Sequence, residues 1–561
     1  MTRRTLVVLI AILLVVIPLS AAPPTPRPIP KLVVILVVDQ MRADYIEKFG
    51  QHWTGGLRRL LDEGAWFREA AYPYMTTVTC VGHSTIVTGS FPNTHGIVSN
   101  QWWDRATGKP VNCVADAAET LVSYGAPAKG GTSTRNLLVP ALPDELRVQL
   151  PVPPRIVSMS VKDYTATTMA GRRADVAVWF NAAARSLASS SFFGAAPVPF
   201  VAEFVKAHPV EAEFGKAWRK LLPDSDYLYA DDAPGENPPA GNASTFPHVL
   251  RGAGDTIDAD FYTAWVESPF SDVFLGQLAE TSIDRLKLGR GRGTDYLAVS
   301  FSALDFVGHR YGPRSHEVQD VLARLDQTIW SLLAHLDRSV GRANYVLALT
   351  ADHGVAPIPE QIAAAGLSAG RIPTADLVAR VERALEPMLG AGKHVAHMVY
   401  NDLYFEPGVF ERLQANPAAM RAAMDAVRSM PGVARVFRSD ELDHPFASAE
   451  DRIERAALAT FLPGRSGDFI IVPQPYWIVG AGSKGTTHGT PYGYDLRVPL
   501  FLLGKGIRKG QFLTPAAPVD IAPTLAFLCG ITLPAADGRV LGEALLPVPA
   551  PGQAPSAPRK Q

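Results

Sequence analysis

The chain has 561 residues, with 53 Lys and Arg against 54 Asp and Glu and a formal charge of −1. That balance excludes binding to a nucleic-acid scaffold through a broad basic surface, and 47% hydrophobic with 19% charged residues excludes a mostly disordered polypeptide. Three Cys cannot build a disulfide scaffold and leave at least one thiol unpaired within the chain.

Residues 1–22 read as a secretory signal peptide. Arg3 and Arg4 supply the charged start, residues 6–17 an unbroken apolar run, and Ser20-Ala21-Ala22 small residues for cleavage. The run is too short for a comfortable membrane span, and no other stretch is apolar enough. The expectation is an exported chain, periplasmic or secreted, with no membrane anchor after cleavage.

Residues 32–38 (LVVILVV) form an apolar run that stops at Asp39. This predicts a buried parallel strand with a carboxylate at its C-terminal end. Residues 75–90 are crowded with hydroxyls, and Asn100 follows. Residues 175–254, rich in Pro, Gly, Ala and aromatics, read as an inserted cap. Residues 296–301 predict a second strand leading to Asp305 and His309, and 345–350 a third leading to Asp352 and His353. Between them, apolar residues recur at three-to-four spacing over 317–336, an amphipathic helix.

Residues 358–477 predict a second insertion, small and α+β. Its helices are expected over 375–388 and 418–430, and its strands over 395–404 and 433–437. A further strand over 496–503 follows His488, and a helix includes 523–529. Residues 547–561 read as a disordered Pro/Ala-rich tail. The alternation predicts an α/β fold: a central, mostly parallel sheet with helices on both faces, over about residues 30–540.

Asp39, Asp305, His309, Asp352, His353 and His488 all fall at or just beyond expected strand ends, where open α/β sheets build their sites. Asp305 and His309 are four apart and can face one centre. Asp352 and His353 are adjacent on a turn, and Gly354 is expected to relieve its backbone. Mixed Asp/His sets suit Zn²⁺ or a similar divalent ion, and paired metals favour phosphoryl transfer. The residues alone leave the nucleophile open among Thr76, Thr77, Thr79, Ser84 and Thr85.

Seven motifs then carry a resemblance. They are VVDQMRADY (37–45), TVTCVGHSTIVTGSFPNTHGIVSN (77–100), SVKDY (160–164), SALDFVGHRYGP (302–313), TADHG (350–354), THGTPYGYD (487–495) and PVDIAPTL (518–525). In this order they resemble the alkaline phosphatase superfamily, in particular PafA-type periplasmic alkaline phosphatases near the type I phosphodiesterase/nucleotide pyrophosphatase branch. The resemblance implies a phosphate monoester hydrolase with two zinc ions and a covalent phosphothreonine at Thr79. It implies that Asp39, Thr79, Asp352 and His353 hold one zinc, and that Asp305, His309 and His488 hold the other. It implies that Asn100 and Lys162 contact phosphoryl oxygens of a small phosphate ester. His83 and His95 match no metal ligand and are expected to be structural. Cys80 lacks the Pro and Arg of a sulfatase nucleophile motif, and Cys113 and Cys529 have no assignable partner.

One departure matters. PafA-type enzymes carry Arg two residues after the Lys, and this chain has Tyr164. Arg would grip a dianionic phosphoryl group with a charged fork. Tyr offers one neutral hydroxyl, so a phosphodiesterase with the same metals is the alternative. Arg172 or Arg173 could substitute in space.

Overall fold

Seven consecutive Val, Ile and Leu residues, Leu32–Val38, form a strand buried along its whole length at the centre of a ten-stranded sheet. A run apolar on both faces must be covered on both, which is why helices flank it. In this computed structural model residues 29–547 are described, apart from 240, 253, 443–448 and 481. The expected signal peptide, and all but the first residue of the expected tail, lie outside the described residues. No helix among the described residues is long and apolar enough to cross a membrane.

Numbered in chain order, the strands are β1 (Leu32–Val38), β2 (Ala65–Phe67), β3 (Leu121–Ser123), β4 (Ile156–Ser160), β5 (Val176–Asn181), β6 (Ser186–Ser190), β7 (Asp295–Phe301), β8 (Tyr345–Thr350), β9 (Leu500–Gly504) and β10 (Gly510–Phe512). Their spatial order is β10-β2-β9-β8-β1-β7-β4-β5-β6-β3. The five central strands, β8 to β5, run parallel. The mostly parallel α/β sheet expected from the sequence is therefore the observed one.

Two expectations change. The strand expected over 496–503 is β9, and it runs antiparallel to β8. An antiparallel strand begins where its parallel neighbours end, so the loop before β9 brings His488 to their carboxyl edge. Within 175–254, the apolar run 176–180 and the stretch 186–190 are β5 and β6 of the main sheet. The Pro/Gly-rich composition of the whole segment hid these two short strands.

Residues 358–477 contain a four-stranded antiparallel sheet in the order Val395–Val399, Asp402–Phe405, Phe469–Pro473, Val433–Arg438. Helices Thr374–Leu389 and Pro417–Arg428 share a core with it through Leu377, Leu385, Met424, Val427 and Ile471. The single strand expected over 395–404 is thus a hairpin, turning at Tyr400 and Asn401.

The amphipathic helix is His316–Ser339, capped by the Ser315 side chain accepting from the Val318 N–H. Its second residue, Glu317, is wholly buried, with Oε1 2.8 Å from His248 Nε2 and Oε2 without a hydrogen-bond partner among the described residues. Burial, reinforced by Asp231 and Asp320, pushes the Glu317 carboxyl from 4.5 up to about 9. The unfolded chain ionises this group first, so the stability it lends is full below pH 4.5 and is lost as pH rises towards 9. Glu317→Gln is therefore expected to flatten the fall in melting temperature across that range. It should raise the alkaline melting temperature by a few degrees, read by calorimetry over a pH series.

Candidate active site

Each expected site residue is placed by an element that the sequence explains. Asp39 follows β1 directly, and Asp352 and His353 follow β8. Asp305 and His309 lie one turn apart on helix Ala303–Tyr311, which starts just after β7. Thr79 opens helix Thr79–Thr88, which is buried throughout. Gly308, between Asp305 and His309, leaves room for Gln40: a Cβ there would meet Gln40 Oε1 at 1.8 Å and displace that side chain. Gly354 has the same reason rather than an unusual φ: its Cβ would lie 2.1 Å from the Tyr494 carbonyl.

These residues converge. One ligand atom each from Asp305, His309 and His488 lies within 4.8 Å of the others, as does one each from Asp39, Asp305 and His353. Asp305 Oδ1 is 3.2 Å from His309 Nε2 and 3.9 Å from His488 Nε2. His353 Nε2 is 3.2 Å from Asp352 Oδ2, 3.7 Å from Asp39 Oδ1 and 3.2 Å from Thr79 Oγ1.

The three imidazoles share one hydrogen-bonding pattern. His309 Nδ1 donates to the Thr486 carbonyl at 2.8 Å, His353 Nδ1 to that of Gly354 at 2.9 Å, and His488 Nδ1 to that of Thr77 at 2.8 Å. A carbonyl only accepts, so each Nδ1 carries a proton and each Nε2 is the ring atom that faces the cluster. The Asp39 Oδ1 atom is buried and has no hydrogen-bond partner among the described residues. Three Nε2 atoms and three buried carboxylates fit divalent metal ions.

Lys162 is the cation within the set, at 2.6 Å from Asp39 Oδ2 and 2.5 Å from Asp305 Oδ2. Burial would raise Asp305, but Lys162 and His309 outweigh it and hold the carboxyl well below the usual range. Burial and the neighbouring Asp352 leave Asp39 held well above it, against the pull of Lys162. Burial disfavours a charged Lys162, yet the Asp305 and Asp39 carboxylates keep it protonated.

Asn100 reaches helix Thr79–Thr88: its Oδ1 accepts the Cys80 N–H at 2.7 Å. Cys80 and Cys113 form a disulfide across a separation of 33 residues, a pairing that spacing alone did not reveal. The Cys113 N–H also donates to the Asn100 carbonyl at 2.9 Å, so the bridge holds Asn100 beside Thr79. Cys529 is free and buried, with its thiol pushed up to about 12 by burial.

Comparison with known proteins adds a second kind of finding. Residues 33–495 match the model of the type I phosphodiesterase/nucleotide pyrophosphatase family. The chain belongs to this family. It is 31% identical over 525 residues to alkaline phosphatase PhoV of Synechococcus elongatus, covering 92% of this chain and 93% of that one. It is 30% identical to alkaline phosphatase PafA of Elizabethkingia meningoseptica, covering 92% and 95%. The crystal structure of PafA superposes with a TM-score of 0.85 at 30% identity, over 92% of this chain and 99% of the other.

Other residues surround the candidate site, and motif reading passed over two of them, Gln40 and Tyr400. Gln40, at φ +68, donates its N–H to Asp352 Oδ1 at 3.0 Å and its Nε2 to Asp305 Oδ1 at 2.6 Å. It ties the two halves of the candidate ligand set together. His83 spans the Thr79 carbonyl at 2.8 Å and Ser300 Oγ at 2.9 Å, and lies 3.3 Å from Asp352 Oδ2. His95 bonds Thr85 and the Ile97 N–H, the structural role expected of it. Tyr400, from the four-stranded sheet, accepts from Asn100 Nδ2 at 3.2 Å. The only sequence signal for it was an Asn after a Tyr inside an expected strand, a turn cue.

Tyr164 lies on the first turn of helix Asp163–Ala170, half-buried. Its phenol is pushed above its usual range by burial, and the charges of Lys162, Asp39 and Asp305 act on it. Arg172 does not replace the expected guanidinium: its side chain donates to the Leu137 carbonyl. A cleft of about 560 Å³ lined by Arg42, Trp66, Tyr476 and Arg497 includes none of the ligand set.

Proposed function

We propose that the chain is an exported phosphoric monoester hydrolase of the alkaline phosphatase type, acting through Thr79 at a site for two zinc ions. The observation that carries this reading is the Thr79 hydroxyl lying 3.2 Å from His353 Nε2 among three Asp and three His, all of them buried except the partly exposed His309. Asp39, Thr79, Asp352 and His353 would hold one ion, and Asp305, His309 and His488 the other. The bound ions would lower the pKa of a coordinated hydroxyl and stabilise charge on the attacking and leaving oxygens.

The chain's own residues do the rest. Thr79 Oγ1 attacks phosphorus, the ester P–O bond breaks and the alcohol leaves. Water then splits the Thr79 phosphoester and releases phosphate. The start of helix Thr79–Thr88 adds favourable partial charge for an anion. Lys162 and the Asn100 amide bind phosphoryl oxygens and stabilise their charge in the transition state.

A second reading, a phosphodiesterase or nucleotide pyrophosphatase, is favoured by Tyr164 where an Arg was expected. Initial rates on an aryl phosphate and on its methyl diester, with zinc-loaded protein, separate the two. The monoester is expected to be faster, and a faster diester would reverse the assignment. Tyr164→Arg is expected to shift the monoester-to-diester ratio roughly tenfold or more towards the monoester, because a guanidinium fork favours a dianion.

A further inference from the structure

Tyr400 occupies a hairpin turn with φ +50, a left-handed conformation that is uncommon for a bulky side chain and collects at functional sites. The next residue, Asn401, donates through Nδ2 to the Gly489 carbonyl at 2.7 Å, one residue beyond His488. The turn is thereby pinned to a loop of the site. The Asn100 amide is oriented unambiguously, because its Oδ1 accepts a backbone N–H, so its Nδ2 donates to Tyr400 Oη. A phenol that accepts from Asn100 keeps its own proton for another partner, and no acceptor for it occurs among the described residues. The charges of Lys162 and Asp305 reach this phenol, and Tyr164 senses it too. Burial keeps the Tyr400 proton bound above its ordinary range.

We propose that Tyr400 is a substrate-binding residue whose hydroxyl donates to a phosphoryl oxygen shared with Asn100 and Lys162. This rests on the phosphoryl-transfer reading above. Two neutral phenols, Tyr164 and Tyr400, then line a phosphoryl pocket in which Lys162 is the cation. A neutral donor serves an oxygen whether the ester carries one charge or two. Tyr400 therefore supports binding of the phosphoryl group itself rather than discrimination between monoester and diester.

The test is Tyr400→Phe, alone and combined with Asn100→Ala, in metal-loaded protein. Affinity for inorganic phosphate is measured by titration calorimetry, and kcat and KM on an aryl phosphate. Phe keeps the ring, and melting temperature and metal content verify the fold. The expected result is a loss of roughly ten- to hundredfold in phosphate affinity and in kcat/KM, the scale of one hydrogen bond to a charged group. A further loss is expected on adding Tyr400→Phe to Asn100→Ala, and partial recovery in Tyr400→His, which restores a donor. Unchanged phosphate affinity would overturn the proposal. So would the absence of any further loss in the Asn100→Ala background, which would make Tyr400 a support for Asn100 only. If the wild type binds phosphate in a Tyr400-dependent way but hydrolyses no ester, the contact stands and the phosphatase reading fails.

Discussion

Thr79→Ala is expected to lower kcat on aryl phosphates by at least about a thousandfold, because it removes the attacking oxygen itself. The protein should remain folded. Among the described residues the Thr79 hydroxyl has one hydrogen bond, to His353, and helix Thr79–Thr88 is capped at Val78 without a side-chain bond. Thr79→Ser should retain much of the rate, since it keeps a hydroxyl. Acid-quenched wild type should carry phosphate on the peptide containing Thr79, and the Ala variant should not. Both readouts come from one turnover experiment followed by peptide mass analysis. Wild-type turnover in Thr79→Ala would refute the covalent route.

Lys162→Ala should have the second largest effect, and it separates two roles of one side chain. Catalytically, loss of a cation over the phosphoryl oxygens is expected to cost about a hundredfold in kcat/KM. Structurally, Lys162 joins Asp39 and Asp305 at 2.6 and 2.5 Å in a setting where all three side chains are buried. Removing one member of such a set strands the others, typically at about 3–5 kcal/mol. The chelated variant should therefore melt well below chelated wild type. Adding zinc should close most of that gap, because a divalent ion supplies the missing charge, while the deficit in kcat/KM persists. Equal melting temperatures for the two chelated proteins would mean that the Lys162 bridge does not support the fold.

The two tyrosines would enter the proposed phosphoryl pocket from different parts of the fold. Tyr164 belongs to the helix that follows Lys162, so its neighbourhood is local in sequence. Tyr400 arrives from a separate four-stranded sheet and meets Asn100 across 300 residues of chain. If Tyr400 binds substrate as proposed, variation in that sheet would alter substrate binding without touching the candidate metal ligands.

The sequence by itself determined the parallel core, and it marked candidate site residues along that core. Runs such as 32–38 and 345–350 are apolar on both faces, which only a sheet covered on both sides can satisfy, and their last polar residues mark its carboxyl edge. Asp39, Asp305 and Asp352 were legible for the same local reason, since each lies just beyond the end of a strand, whereas Thr79 was singled out only by the resemblance and His488 lies in a loop. The direction of β9, the strands hidden in 175–254, the Cys80–Cys113 bridge, and the meeting of Gln40 and Tyr400 with the site were not legible. Each of these depends on contacts between segments far apart in the chain. Gln40 reads as an ordinary polar residue until the fold sets it between Asp305 and Asp352, and Tyr400 as an ordinary strand aromatic until a hairpin turn brings it to Asn100. Local pattern records which face a residue buries, and only tertiary packing records what it buries against.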